Sequence, residues 1–209
     1  MIAVTKTVRL WLTAILSIAC LLVGGQSALA KPPSLTRGAL SRRNNCYSLL
    51  HQLLDEQKDV SWLRFIKSEH PDIENLTKRI AAASAAGSKL LEELARHDPS
   101  MHLDNIRLPA GEQATRTAIA STEKKNILGQ TGDEFELTLL LAQTQALSYA
   151  WHLAKVGAEN DPQPGRARAL AGVSDDMESL YHEAFAMLLS KTKSVATLPL
   201  TTQRTLDQP

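Results

Sequence analysis

Apolar residues recur at alternating spacings of four and three along residues 132–157, which is typical of a helix with one buried stripe. The stripe consists of Phe135, Leu139, Ala142, Ala146, Tyr149, Leu153 and Val156. A second apolar row beside it consists of Leu140, Leu147 and Trp151. Polar residues collect on a third face: Glu134, Thr138, Gln145, Ser148, His152 and Lys155. The pattern predicts a central helix that is buried on two sides and meets solvent on the third.

Two helices are predicted before the central one. The first is expected over residues 46–68, with Leu49, Leu53 and Val60 on its stripe and Glu56 in the slot between them. The second is expected over residues 71–97, because Pro71 suits a first helical turn. Its small residues at 81–87, AAASAAG, would let a neighbouring helix approach closely.

Two more helices complete the pattern. A weakly apolar segment at 109–128 is expected to form a short helix on the surface, between the second and the central helix. A last long helix follows the turn at 161–165 and ends near Lys191. The sequence shows no strand-like alternation and no repeat of fixed period. We therefore predict an all-α protein: an up-down four-helix bundle with an extra short helix between helices 2 and 3.

The ends of the chain are predicted to lie outside this bundle. In residues 1–30, Lys6 and Arg9 precede an apolar core, and Ala28-Leu29-Ala30 offers a cleavage site, as in a secretory signal peptide. This predicts export to the periplasm; a retained N-terminal anchor and lipidation at Cys20 are the alternatives. Residues 31–45 are predicted to be a flexible linker, 46–192 the bundle domain and 193–209 a disordered tail.

Charge and cysteine content narrow the range of partners. Removing Lys6 and Arg9 with the signal peptide leaves 21 basic and 22 acidic residues, so we expect no nucleic-acid partner. Four basic residues within 31–44 leave peripheral membrane association as an alternative to a solvated linker. Cys46 would be the only cysteine, which excludes an internal disulfide. We expect it to be a buried small hydrophobe; a thiol-linked homodimer is the alternative.

Three stretches carry a resemblance to a known family: IKSEHPDIENLTKRIA at 66–81, LPAGE at 108–112 and TGDEFELTLLLAQTQALSYAWHLAKVGA at 131–158. They resemble the ferritin-like four-helix bundles of bacterial envelope proteins that are classed as a domain of unknown function. The resemblance implies a periplasmic or outer-membrane location and a ferritin-like bundle over residues 46–191. Members often carry a histidine late in the second helix, where this chain has only Ala, Ser and Gly. No role of that histidine carries over.

Ferritin-like bundles often hold two iron ions on Glu residues and Glu-x-x-His pairs that point into the bundle. This chain contains no Glu-x-x-His. Glu93 with His97 and Glu178 with His182 are each four apart, which is also the spacing of an ordinary exposed helix pair. We therefore predict no catalytic residue, metal or cofactor. If the chain did hold a metal, the candidate ligands would be Glu56, His152, Glu178 and His182.

These observations favour an exported, non-catalytic helical bundle with a structural or interaction role in the cell envelope and an unidentified protein partner. They rest on an export signal, on stripes without ionisable residues and on a nearly neutral charge balance. The alternative is a degenerate ferritin-like protein that binds a metal or a small molecule through Glu56 and polar residues of the central helix, such as Gln143 or His152.

Overall fold

The computed structural model describes residues 37–60, 70–104, 106 and 108–196. Within these ranges the chain forms five α-helices and no strand: α1 (Arg37–Gln57), α2 (Pro71–His97), α3 (Ala110–Gly129), α4 (Gly132–Glu159) and α5 (Pro164–Ala196). The all-α prediction is confirmed for this part of the chain. No helix among the described residues is long and apolar enough to cross a membrane.

The predicted bounds of α2, residues 71–97, are confirmed, and the contacts at the start of the helix explain where it begins. Pro71 occupies the first helical turn, and the Nδ1 atom of His70 accepts a hydrogen bond from the backbone N–H of Asp72 at 3.4 Å. Asp72 and Glu74 place negative charge at the positive end of the helix dipole. The helix ends at His97.

The predicted bounds of the first helix are wrong. α1 begins at Arg37 and ends at Gln57, so residues 37–45 are helical and do not form a flexible linker. The reason is a buried arginine: only 2% of Arg43 is exposed, and its Nη2 atom donates to Ser100 Oγ at 3.0 Å. Asn44 donates to the carbonyl oxygen of Ser100 at 3.1 Å. These contacts hold polar residues of α1 against the turn that follows α2.

The last helix is also longer than predicted. α5 continues to Ala196, so the first residues of the predicted disordered tail, 193–196, are helical. Residues 197–209, the signal peptide predicted at 1–30 and the predicted helical residues 61–68 lie outside the described residues.

The core lies mainly between α4 and α5, which form an antiparallel hairpin. A Cβ atom at Gly157, near the end of α4, would lie 3.2 Å from Cδ1 of Leu170, near the start of α5. At the opposite end, Leu140 and Met187 line the same small cavity. The deepest positions of α4 include Leu140 and Leu147, which belong to the predicted second row. Ala142, Ala146 and Tyr149, predicted on the main stripe, are only half-buried.

The small-residue tract of α2 allows a close approach to α1, as predicted. A Cβ atom at Gly87 would lie 2.8 Å from Cδ1 of Leu54, which is fully buried. Glycine therefore leaves the space that the leucine side chain occupies.

Five polar side chains form a cluster at one end of the helices, which we call the arginine–aspartate cluster. Arg166 Nη1 lies 2.7 Å from Asp98 Oδ2, and Arg166 Nε lies 2.9 Å from Asp161 Oδ2. Tyr47 donates its hydroxyl hydrogen to Asp161 Oδ2 at 2.8 Å, and Arg43 Nη1 lies 3.6 Å from Asp98 Oδ2. The cluster joins α1, the turn after α2 and the α4–α5 connection.

A second buried charge lies at the opposite end. Glu136 is 7% exposed and accepts a hydrogen bond from the backbone N–H of His70 at 2.6 Å, through Oε1. Its Oε2 pairs with the ammonium group of Lys191, which also lies 2.9 Å from Asp133. The expectation that the core stripes carry no ionisable residue is therefore wrong at Arg43 and at Glu136. Both charges can be buried because each has a partner of opposite charge.

Candidate ligand-binding groove

A groove of about 1080 Å³ lies between α1, α3 and α4, and we call it the α3 groove. Its floor is apolar. Leu49 and Leu53 contribute from α1, and Ala142, Ala146 and Tyr149 contribute from α4. The two alanines are short, so the space above them stays open. This floor explains why part of the predicted α4 stripe is apolar without being fully buried.

The α3 helix forms one wall of the groove and is loosely attached. No residue of α3 is buried. The Arg116 guanidinium contacts the hydroxyl of Tyr149, lies 4.8 Å from the centre of the Tyr149 ring, and donates to Glu112 Oε1 at 2.7 Å. Ile119 and Leu128 line the groove yet remain 52% and 41% exposed. The prediction of a surface helix between α2 and α4 is confirmed.

The charge of Arg116 is secured by its contacts. Burial alone would lower the pKa of Arg116, but the hydrogen bonds with Glu112 and Tyr149 outweigh burial and raise it. Arg116 is therefore charged at any physiological pH, and its charge is already engaged by Glu112.

Two glutamine side chains leave a buried acceptor atom at the groove. Gln143 lines the groove and is only 3% exposed, and its Oε1 atom has no hydrogen-bond partner among the described residues. Gln57 also lines the groove, and its Oε1 is buried and unpartnered in the same way. A buried acceptor without a donor costs about 1–3 kcal/mol.

The described rim of the groove carries more negative than positive residues. The acidic residues that line it are Glu56, Asp59, Glu112 and Glu123, and the basic ones are Arg116 and Lys124. Since Glu112 and Arg116 are hydrogen-bonded to each other, the remaining charge on the rim is mainly acidic.

Glu56 falls on the predicted stripe of α1, where either a core position or an exposed helix end would explain it. Glu56 is exposed on the groove rim, and its Oε1 accepts a hydrogen bond from Gln52 at 3.0 Å. The buried row of α1 runs instead through Arg43, Tyr47, Leu50 and Leu54. Glu56 thus lies at the exposed end of α1. The predicted stripe through Leu49 and Leu53 is not the most buried row, because the buried row is shifted around the helix by about one residue, or 100°.

The other predicted ligand residues do not converge. His152 is exposed on α4, and its Nδ1 lies 2.7 Å from the carbonyl oxygen of Ser148. Glu178 and His182 form an exposed pair on α5 with a 3.8 Å separation. Within the described ranges, no three His, Cys, Asp or Glu side chains are grouped closely enough to hold a metal ion. Gln143, named above as a polar residue of the central helix that could bind a ligand, is buried.

Cys46 is 7% exposed and packs near Gly157, which agrees with its interpretation as a small hydrophobe. Burial raises the pKa of the Cys46 thiol, and the nearby Arg42 charge only partly opposes this. A higher thiol pKa makes the thiolate, the reactive form, scarcer. The thiol-linked homodimer stays a prediction.

Sequence reasoning missed Gln57, Arg43 and Glu136. Glu136 lies four residues before Leu140, so extending the Leu140–Leu147 row backwards would have found it. Arg43 similarly extends a row through Tyr47. Gln57 had no comparable signal, since its burial depends on where neighbouring helices lie.

Comparison of the chain with family models, curated proteins and solved structures finds no match. The resemblance to ferritin-like envelope proteins therefore stays a prediction from the stretches at 66–81, 108–112 and 131–158.

Proposed function

We propose that this protein is a non-catalytic binding protein whose α3 groove holds an elongated amphipathic molecule. The observation that carries the proposal is the lining of the groove, which combines an apolar floor, the exposed apolar side chains of Ile119 and Leu128, and the amide side chain of Gln143. Small-molecule sites combine an apolar lining with a few polar groups that fix the ligand, and the α3 groove has both. Its volume is close to the upper end of the usual range of about 300–1,000 Å³.

The α3 helix supports the same function. Ile119 and Leu128 are large apolar side chains that line the groove while largely exposed. A ligand chain lying against them would remove their surface from water, which contributes about 25 cal/mol for each Å² of apolar area. Binding would thus cover the apolar wall of the groove.

We also propose a ferritin-like arrangement for the four long helices. Leu54 meets Gly87 while Arg43 meets Asp98, so α1 and α2 run in opposite directions. The starts of α2 and α4 meet through the hydrogen bond from His70 to Glu136. Together with the α4–α5 hairpin, these contacts support an up-down-down-up order, with α3 as the crossover between α2 and α4. One long crossover is typical of ferritin-like bundles.

We propose the periplasm as the location, which rests on the signal-peptide pattern of residues 1–30. In the periplasm, the predicted interaction role of this protein would consist of binding a ligand in the α3 groove.

The binding function is tested by adding N-phenyl-1-naphthylamine to the full chain. This neutral apolar probe becomes fluorescent when it leaves water. We expect saturable binding at one site per chain. Ala146→Trp should abolish it, because the indole would fill the space above the groove floor. Ala171→Trp is the matched control, since Ala171 is exposed on α5 and does not line the groove.

A second variant guards against misfolding of the first. Ile119→Asp places a charge on an exposed groove residue of α3 and should weaken probe binding at least tenfold while the circular dichroism spectrum is unchanged. Absence of saturable binding, or equal binding by the Ala146→Trp and Ile119→Asp variants and the parent chain, would rule out the α3 groove as a ligand site.

A further inference from the structure

We infer that Arg116 and Tyr149 form a head-group site in the α3 groove, and that this site takes a neutral carbonyl group, as in a long-chain ketone, ester or amide. The inference rests on the proposed function, because it names the ligand class of that same groove. Three features of the described residues support it: the hydrogen-bond donors that the pair leaves available, their exposure to the groove and the charge around them.

The pair leaves several hydrogen-bond donors available. A guanidinium group carries five N–H donors, and the described residues accept from two of those of Arg116. Glu112 Oε1 accepts from Nε at 2.7 Å, and the hydroxyl oxygen of Tyr149 accepts from Nη1. Because the Tyr149 oxygen is the acceptor in this contact, its own hydrogen remains to be donated, and no described residue accepts it. An acceptor atom beside the pair would therefore meet donors from both side chains.

These donors can be reached from the groove. Both side chains line it; Tyr149 is half-buried, and 35% of the Arg116 side chain is exposed. One turn away on the same helices, Ala146 and Ile119 also line the groove. A head group held by Arg116 and Tyr149 would thus leave its alkyl chain against apolar side chains, which is the usual combination in a small-molecule site.

The charge around the pair favours a neutral acceptor over a carboxylate. Glu112 already balances the charge of Arg116, and the remaining described rim is mainly acidic. Carboxylates near a protein surface repel an anion. A carbonyl oxygen accepts hydrogen bonds without adding charge, whereas an ammonium group has no acceptor atom to offer these donors.

The inference is tested by displacing N-phenyl-1-naphthylamine from the full chain with two molecules of nearly equal shape, each below its solubility limit. Decan-2-one carries the carbonyl group, and 2-methyldec-1-ene has a CH₂ group in place of the carbonyl oxygen. We expect Tyr149→Phe and Arg116→Met each to weaken the ketone about tenfold relative to the alkene, because each variant removes hydrogen-bond donors. Circular dichroism should be unchanged in both variants.

The ratio of the two affinities distinguishes head-group recognition from a structural role. If Arg116 and Tyr149 only hold α3 in place, their replacement weakens ketone and alkene equally. Tyr181→Phe and Arg96→Met are the matched controls, because neither residue lines the groove, and both should keep the ratio of the parent chain. A ratio equal to that of the parent chain in Tyr149→Phe and in Arg116→Met would overturn the inference.

Two further outcomes separate this inference from the proposed function. Nonanoic acid, which has the same alkyl chain as decan-2-one and is ionised at pH 7, should displace the probe less well than the ketone. If it binds as tightly as the ketone, the groove binds ligands but the inferred neutral class is wrong. If the probe itself shows no saturable binding, the proposed function fails first.

Discussion

Arg43 is a buried arginine in a stretch that the sequence pattern assigns to a linker. Its guanidinium meets Asp98 at 3.6 Å and Ser100 at 3.0 Å, so the charge and the donors are both partnered. Replacing one member of a buried ion pair leaves the other charge poorly compensated, which makes the loss larger than the net value of the pair.

We expect Arg43→Met to lower the free energy of unfolding by about 3 kcal/mol, because Arg166 is then the one charged partner that Asp98 keeps among the described residues. Urea unfolding followed by circular dichroism measures the change. Arg42→Met is the control: Arg42 is exposed, so its loss should stay within about 0.5 kcal/mol. Equal losses in the two variants would show that Arg43 does not anchor the start of α1.

At the scale of the element, α3 differs from the other helices. It spans 20 residues without a buried one, whereas α2 buries nine residues over 27. Most of the stability of a helix in a protein comes from tertiary packing, so α3 depends on its contacts with α4. The Arg116–Tyr149 contact is one of them.

Backbone amides of α3 should exchange with deuterium faster than those of α2, because local opening of α3 exposes little apolar surface. Native-state hydrogen exchange read by mass spectrometry measures this. Arg116→Ala should speed exchange in α3 further and leave α2 unchanged. Protection of α3 equal to that of α2 would contradict the loose attachment.

The element scale also shows how far the sequence could predict this fold. The bounds of α2 follow from local chemistry, namely Pro71 and the cap at His70, and are confirmed. The face of α1 does not follow locally. Leucines at both 49–50 and 53–54 make two neighbouring faces equally apolar, and only the packing against other helices shows that Leu50 and Leu54 face the core.

The α3 groove lies beyond this limit. Periodicity places Ala142, Ala146 and Tyr149 on an apolar face, but spacing within one helix cannot show how closely a second helix covers that face. The buried state of Gln143 likewise depends on α4 packing, and Arg43 depends on partners from the turn that follows α2. The sequence therefore predicts the helices better than the site between them.

At the scale of the whole molecule, the arginine–aspartate cluster makes stability depend on pH. Burial would raise the pKa of Asp98, but hydrogen bonds from Ser100 and the charges of Arg166 and Arg43 outweigh burial and lower it. The pKa of Asp161 is lowered in the same way, against burial, by Arg166, Gln163 and Tyr47. Burial and the Asp161 carboxylate raise the pKa of Tyr47.

These pKa shifts predict that the free energy of unfolding falls at both low and high pH. The two carboxylates contribute stability above their unfolded pKa of about 3.9, and that contribution is lost as pH falls through their lower folded pKa values. Tyr47 contributes stability below its unfolded pKa of about 10, and that contribution is lost as pH rises further. Urea midpoints from pH 3 to 11 measure both limbs.

Two variants test which residues cause the loss of stability at low pH and at high pH. Asp161→Asn should reduce the fall at low pH, and Tyr47→Phe should reduce the fall at high pH, although each also lowers stability near neutrality. If Asp161→Asn leaves the acid limb as steep as in the parent chain, the cluster is not its source.

Buried polar contacts at both ends of the structure also fix how the helices align lengthwise. Arg43 finds Asp98 at one extremity, and Glu136 finds the backbone of His70 and the charge of Lys191 at the other. Helices that packed through apolar side chains alone could shift along one another by one turn, about 5.4 Å, and still bury a similar apolar area. Here such a shift would separate the charged groups from their partners at both ends of the structure. The two sets of contacts therefore favour one lengthwise alignment of the helices.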